Sequence, residues 1–129
     1  MNAYKIKEYI FLFMTWLFAY FAPIVPFILM VGCFIISDTI TAIIAVVKKQ
    51  GWQGVKSRRL RDTVFKFTAY SIGLLSAYTF QVKFFIDFPA LKLIAGYIAM
   101  SELKSIDENI AKITGHSLFS SLIKQFKKS

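Results

Sequence analysis

Acidic residues are scarce in this sequence, and charged residues of either sign are few. The 129 residues include 7 Asp and Glu against 16 Lys and Arg, so charged residues make up 18% of the chain and hydrophobic ones 57%. An ordinary soluble domain carries about 25% charged and about 45–50% apolar residues. A soluble domain of this length could not hide so much Phe, Ile and Leu beneath so few charges. The composition therefore predicts one domain, residues 1–129, whose solvent is lipid.

Cysteine and histidine occur once each, which excludes the commonest metal and redox sites. Cys33 lies in an apolar run, so it can form no intramolecular disulfide, and we interpret it as a small helix-packing residue. His116 follows Gly115 in a polar stretch, with no second imidazole and no evident nucleophile beside it. The glycines form no phosphate loop, and the acids lack the paired spacing of metal ligands. We therefore predict no enzyme, no catalytic residue, no metal and no cofactor.

The basic excess, a formal net charge of +9, raises the question of a nucleic-acid partner. No nucleic-acid recognition motif accompanies this charge. The basic residues instead cluster in three polar stretches between or beside the apolar runs, as the positive-inside rule of membrane proteins requires. We therefore expect a lipid bilayer, and no nucleic acid, as the partner.

The first apolar run, 9–37, contains no charge over 29 residues. It exceeds the about 20 residues that cross a bilayer once. Pro23 and Pro26 divide it by a turn or strong kink, which predicts a short first helix, 9–22, retained in the protein, and a second helix, 26–47. Asp38 falls near the middle of the second helix, where a carboxylate costs about 2.5 to 3.5 kcal/mol on insertion scales.

Two further apolar segments follow a basic stretch, 48–62. The third helix is predicted over 63–82, interrupted only by Lys66, which can snorkel towards the basic side. The fourth, 84–100, is the weakest because charges and a proline crowd its start, and a re-entrant or interfacial segment is an open alternative. The tail, 101–129, has apolar residues at helical spacing. After Gly115 these alternate with lysines, which suits either an anionic membrane surface or a solvated tail.

The distribution of basic residues predicts the topology. Thirteen of the 16 Lys and Arg lie before the first helix, in the 48–62 stretch or in the tail. Both termini and the central stretch are therefore expected in the cytoplasm, which requires an even number of crossings on each side of that stretch. The predicted fold is an all-α membrane protein, multi-pass in the inner membrane. It has up to four transmembrane or re-entrant helices, or two crossings if both weak segments do not span, and a C-terminal cytoplasmic amphipathic helix.

Function is predicted to centre on Asp38 and the small or weakly polar residues around it. With Ser37 and Thr41, this carboxylate is a candidate to line a wet lumen in an assembly of several copies. Small residues on the second and third helices allow close helix approach, either within one chain or between subunits of a homo-oligomer. These packing candidates are Gly32, Cys33, Ala45, Ala69, Gly73 and Ala77. The basic candidates of the central stretch are Lys48, Lys49, Lys56, Arg58, Arg59 and Arg61.

Three segments, in order along the chain, resemble phage holin family 4, the toxin-secretion or phage-lysis holins. Asp38-Thr39-Ile40-Thr41-Ala42 is similar to the family's intramembrane Asp-x-x-Thr-Gly, with Ala42 in place of glycine, and 57–61 is similar to its basic loop. The third and most specific segment is similar to the family's Glu-x-x-Ser-Ile-x-Glu-Asn followed by glycine. The matching residues are Glu102, Ser105, Ile106, Glu108, Asn109 and Gly115.

The resemblance implies a protein that oligomerises in the host's cytoplasmic membrane and forms lesions that release an endolysin at lysis. A non-lytic membrane anchor or assembly protein and a small proton-coupled transporter subunit are the alternatives. Independently of the resemblance, the spacing of Ser105 and Glu108 fits a capping box, with a helix start near Ser101 at the membrane exit. The acids of this segment are also placed to form ion pairs with the arginines of the central stretch, within or between subunits.

Overall fold

The computed structural model describes residues 2–129, and these residues form helices joined by short connections, with no β-strand among them. A 3-10 turn, Ala22–Ile24, joins the first two helices, and another, Trp52–Gly54, lies between the second and third. The five α-helices are α1 Ala3–Phe21, α2 Val25–Gln50, α3 Ser57–Lys83, α4 Ala90–Thr114 and α5 Leu118–Lys128. The predicted all-α fold is confirmed in these residues.

The chain does not turn at Pro23 and Pro26, because both prolines lie at positions that a helix tolerates. Pro23 lies in the 3-10 turn and Pro26 in the first turn of α2, where a missing backbone N–H breaks no helical hydrogen bond. The chain therefore stays helical from Ala3 to Gln50, and this stretch alone, within residues 2–129, is long and apolar enough to cross a bilayer. No residue of α1 is buried.

Helices α2, α3 and α4 pack together as a three-helix bundle. Asp38 on α2 meets Ser105 on α4, and further along both helices Lys48 donates a hydrogen bond to the carbonyl of Ile113, so α2 and α4 run in the same direction. The hydroxyls of Thr39 and Thr63 lie 3.0 Å apart. Asp38, one residue earlier on α2, contacts Lys66, three residues later on α3, so α3 runs in the opposite direction to α2. One end of the bundle therefore collects the ends of α2 and α4 and the start of α3.

The buried apolar core occupies the other half of the bundle. Its members come from all three helices and the 3-10 turn: Ile24, Val31, Ile35, Leu74, Leu91, Ala95 and Ile98. Burying a side chain such as Leu or Ile contributes about 1.5–3 kcal/mol relative to leaving it in water. The outside of the molecule is nevertheless also apolar, with Phe11 70% and Tyr97 74% exposed. Patches of this kind on a protein mark contact with lipid or another protein.

The connection between α2 and α3 is shorter than the basic stretch 48–62 that was predicted to form it. Helix α2 continues through Lys48 and Lys49 to Gln50, and α3 begins at Ser57, so Arg58, Arg59 and Arg61 lie on the first turns of a helix. Only residues 51–56 connect the two. The predicted boundaries at 47 and 63 were placed on either side of the charged stretch. Charged residues nevertheless form helices readily when the helix ends in solvent.

The predicted helix start near Ser101 was wrong. Helix α4 begins at Ala90, six residues later than the predicted 84, and continues without a break past Met100 to Thr114. Five of its seven buried residues lie on one face at intervals of four, three, four and seven, from the apolar half into the polar half: Leu91, Ala95, Ile98, Glu102 and Asn109. One face of α4 therefore packs on the bundle along its whole length, and the capping-box spacing of Ser105 and Glu108 falls inside the helix.

Candidate functional site: a polar cluster shared by three helices

Asp38 is the centre of a hydrogen-bonded cluster between α2, α3 and α4. Its carboxylate accepts hydrogen bonds from Lys66 Nζ at 3.0 Å, from the Ser105 hydroxyl at 2.6 Å and from Asn109 Nδ2 at 2.9 Å. Its side chain is 14% exposed. All three partners come from other helices, so the carboxylate that sequence analysis placed alone in a membrane helix joins α2 to both α3 and α4.

Glu102 forms the second half of the cluster. Its side chain is 1% exposed, and its two oxygens accept hydrogen bonds from Lys66 Nζ at 2.8 Å and from the Tyr70 hydroxyl at 2.8 Å. Lys66 and Tyr70 lie one turn apart on α3 and therefore present their polar ends to the same neighbour. Lys66 thus bridges two carboxylates from two different helices.

The charges of the cluster do not cancel. With all three groups ionised, Asp38 and Glu102 contribute two negative charges and Lys66 one positive charge. Removing ions from water costs several kcal/mol per ion, and attraction offsets this cost only where the geometry is good and the remaining hydrogen-bonding groups have partners. Hydrogen bonds from Ser105, Asn109 and Tyr70 meet that requirement here. The resulting cluster links the three helices, because each helix supplies part of it.

Thr41 borders the cluster, whereas Ser37 lies outside it. The Thr41 hydroxyl donates to the carbonyls of Ser37 and Asp38 and lies 3.2 Å from Asn109 Nδ2. Ser37 is exposed and donates to the carbonyl of Cys33 on its own helix. Of the three predicted intramembrane polar residues, two are therefore brought together in the bundle.

Sequence analysis missed Lys66 and Tyr70 as members of this site. Lys66 was expected to reach the basic side, but it turns towards Asp38 and Glu102 instead. A signal was present: a buried carboxylate on one helix requires a partner, and Lys66 is the only cation within the third apolar segment. The predicted ion pairs between the tail acids and the arginines do not form within the chain in residues 2–129, and pairs between subunits stay a prediction. In residues 2–129 the arginine that forms an ion pair is Arg58, with Asp62 at 4.0 Å on the exposed surface.

The predicted packing residues are divided between the interior and the surface. Gly32 is half-buried, and a Cβ at its position would lie 3.4 Å from the ring of Phe67, an ordinary van der Waals contact. Ala77 is buried, Ala45 and Gly73 are half-buried, and Cys33 and Ala69 are exposed. The small residues of α2 and α3 thus do not form one continuous seam within the chain.

The family-like segment of α4 contributes three of its polar residues to the cluster and uses others elsewhere. Ile106 is half-buried and Glu108 is exposed. Gly115 ends α4 with φ +81°, a left-handed conformation that glycine adopts without strain, and its N–H donates to the Ala111 carbonyl. The segment therefore supplies both a face for the bundle and the turn into α5.

Asp107, beside this segment, fastens α5 to α4. Its carboxylate accepts hydrogen bonds from the Ser117 hydroxyl at 2.5 Å and from the backbone N–H of Leu118 at 2.6 Å and of Phe119. The Ser117 hydrogen bond, with the two backbone N–H groups, lowers the pKa of Asp107 below its ordinary value. A carboxylate at the start of a helix is also favoured by the helix dipole. The amphipathic α5 is thereby held at a defined point on α4.

The cluster can be reached from the basic end of the bundle. A crevice of about 530 Å³ between α2 and α3 is lined by Asp38 and Lys66 at one end and by Lys56, Arg58 and Arg59 at the other. Chemically, the cluster can hold charge, exchange protons along a hydrogen-bonded chain and line a polar surface. In the described part of the chain, no three His, Cys, Asp or Glu residues are grouped to hold a metal ion.

Comparisons with known proteins identify no relative: no family model, no characterised protein and no solved structure matches the chain.

Proposed function

We propose that this chain is a phage holin, which oligomerises in the host cytoplasmic membrane and forms lesions that release an endolysin at lysis. One observation carries the proposal. Polar residues of two segments that resemble the holin family, Asp38 and Thr41 in one and Ser105 and Asn109 in the other, are 64 or more residues apart in sequence and meet in one cluster. Their common position gives a physical reason for both segments to occur in one chain.

The proposed location is supported by the surface of the molecule. Apolar side chains cover the outside of α1 and of the bundle, and the stretch from Ala3 to Gln50 is long enough to cross a bilayer. Lys48, Lys49 and the arginines of α3 gather at one end of the bundle, which is therefore the cytoplasmic end in this proposal. The C-terminus is proposed to lie on that same side, whereas the N-terminus would reach it only if α1 turned back at the prolines, which the helix from Ala3 to Gln50 in this structure does not do.

The proposed mechanism uses the cost of exposing the cluster to lipid. While α2, α3 and α4 are packed together, Lys66 forms ion pairs with both Asp38 and Glu102. If the helices of neighbouring copies separate and repack, these groups need water or partners from other copies, because unpaired charges in hydrocarbon are costly. Copies at high density can meet this need together by surrounding water. Polar faces that were internal in one chain then line the lesion.

The first test is inducible expression in a bacterial host while membrane potential and release of a cytoplasmic reporter enzyme are followed together. The expected result is a lag, then abrupt loss of potential with reporter release. Growth with intact potential at confirmed membrane levels of the chain would contradict the lytic function and favour a membrane anchor. A steady proton flux without reporter release would favour the transporter alternative, since Tyr70, Glu102, Lys66 and Asp38 form a chain of titratable groups.

A substitution tests whether the cluster participates. Asp38→Asn removes the charge that Lys66, Ser105 and Asn109 surround. We expect an altered lysis time at equal expression, because the packed state that precedes the lesion loses a shared partner. Asp62→Asn is the matched control, since within residues 2–129 its only ion pair is an exposed one with Arg58. Lysis by Asp38→Asn at the same time as by the unchanged chain would remove the cluster from the mechanism.

A further inference from the structure

A second crevice lies at the basic end of the bundle, between the ends of α2 and α4 and the first turns of α3. Its volume is about 500 Å³. Four basic side chains line it, and no carboxylate does. The basic lining residues are Lys48, Lys49, Arg59 and Lys112.

These four cations have no ion-pair partner in the structure. In residues 2–129 the ion pairs are those of Lys66 with the polar cluster and of Arg58 with Asp62. Lys48 donates a hydrogen bond to the carbonyl of Ile113, which holds it at the crevice without neutralising it. Four like charges around one cavity repel one another, so the site favours an anion between them.

The uncharged lining of the crevice combines polar Gln50 and Asn109 with three apolar side chains. These are Ala42, Ala45 and Val46, which lie on one face of α2 together with Lys49, one turn further along. A ligand that fits both parts has an anionic head and a hydrocarbon tail.

We infer that this crevice binds the phosphate headgroup of an anionic phospholipid, with an acyl chain along Ala45 and Val46. Basic pockets between membrane helices on the cytoplasmic side are a known way of binding such headgroups. Trp52, 76% exposed in the turn between α2 and α3, supports a lipid source over a free phosphate, because tryptophan at this position is typical of a membrane interface. The inference rests on the membrane location in the proposed function, but not on lysis.

The test uses the full-length chain, delipidated in a neutral detergent and titrated with phosphatidylglycerol, phosphatidylcholine or inorganic phosphate, with bound ligand counted by native mass spectrometry. The double variant Lys49→Gln/Lys112→Gln removes two crevice charges, neither of which makes a side-chain hydrogen bond or ion pair in the structure. The matched control, Lys83→Gln/Lys92→Gln, removes two charges at the opposite end of the bundle.

We expect phosphatidylglycerol to bind with a stoichiometry of one and the crevice variant to weaken it at least about tenfold, because each basic residue near an anionic headgroup contributes to affinity. The control variant should bind as the unchanged chain does. Equal loss in both variants, or undiminished binding by the crevice variant, would overturn the site. Equal binding of phosphatidylcholine, or displacement of the lipid by equimolar inorganic phosphate, would overturn the ligand. A chain that binds the lipid but never lyses cells would refute the proposed function and leave this site standing.

Discussion

The Ser105 hydroxyl donates a 2.6 Å hydrogen bond to the carboxylate of Asp38, across 67 residues of sequence. Asn109, one turn further along α4, donates to the same oxygen and to the backbone carbonyl of Asp38. Residues from two adjacent turns of α4 therefore donate hydrogen bonds to one residue of α2. This contact fixes the register between two helices that run in the same direction.

Asp38→Asn is expected to destabilise the bundle by about 2 kcal/mol or more, because one partner is removed from a buried pair while its donors remain. Unfolding of the purified chain in a neutral detergent, followed by circular dichroism, measures this effect. The control is again Asp62→Asn, whose exposed pair at 4.0 Å should contribute at most about 0.5 kcal/mol. Similar losses in the two variants would contradict a structural role for the cluster.

Lys66 and Glu102 should be strongly coupled. Lys66→Met leaves the buried Glu102 carboxylate without its cation, which is expected to cost about 3 kcal/mol. Adding Glu102→Gln to that variant removes the unpaired charge, so the double variant should be more stable than the two single losses added together. A coupling of about 1–3 kcal/mol in the double-mutant cycle is the expected measurement. Simple additivity would show that the two side chains act independently.

Asp107→Ala should release the start of α5 without unfolding the bundle. The substitution removes the acceptor for the Ser117 hydroxyl and for the N–H groups of Leu118 and Phe119. Hydrogen exchange at these two amides is expected to become faster, while amides in α2 and α3 keep their rates. Glu108→Ala, at an exposed neighbouring position, is the control and should change neither.

The same contact makes a pH prediction. Because the pKa of Asp107 is lowered in the folded chain, its contribution to stability is complete above the ordinary aspartate pKa of about 3.9 and is lost as the pH falls through the lowered value. Exchange at Leu118 and Phe119, corrected for its intrinsic pH dependence, should therefore show constant protection from pH 7 to pH 5. Loss of protection already near pH 6 would show that another group controls the contact.

Two glycine substitutions should have opposite effects. Gly115→Ala places a Cβ at φ +81°, so it should destabilise the turn into α5 by about 1 kcal/mol, although no atom lies within 4 Å to clash. Gly96→Ala lies inside α4, also in open space, and should stabilise the helix by about 0.5–1 kcal/mol. Thermal unfolding of both variants in the same detergent provides the comparison, and a loss of stability from Gly96→Ala would indicate a contact across that face that the single chain does not contain.

Sequence periodicity predicted the helices better than it predicted their ends. Helices α2 and α3 lie where apolar runs placed them, but both extend into the basic stretch, because lysine and arginine are good helix formers and end a membrane segment without ending a helix. The predicted helix end at Met100 was also wrong, because polar residues continue the helix beyond it. Polar residues after it were interpreted as a tail, yet Glu102 and Asn109 continue the buried face that starts at Leu91.

The sequence by itself determined that the chain is helical, that it carries more apolar residues than an ordinary soluble domain, that basic charge lies at defined points, and that Asp38 places a costly charge within an apolar run. These properties follow from composition and spacing, which act locally along the chain. Only the tertiary structure decided that Asp38 pairs with Lys66, which also pairs with Glu102, and that Ser105 and Asn109 complete the site. Such pairings depend on which helix faces meet and in which direction the helices run, and helical periodicity defines a face without naming its neighbour.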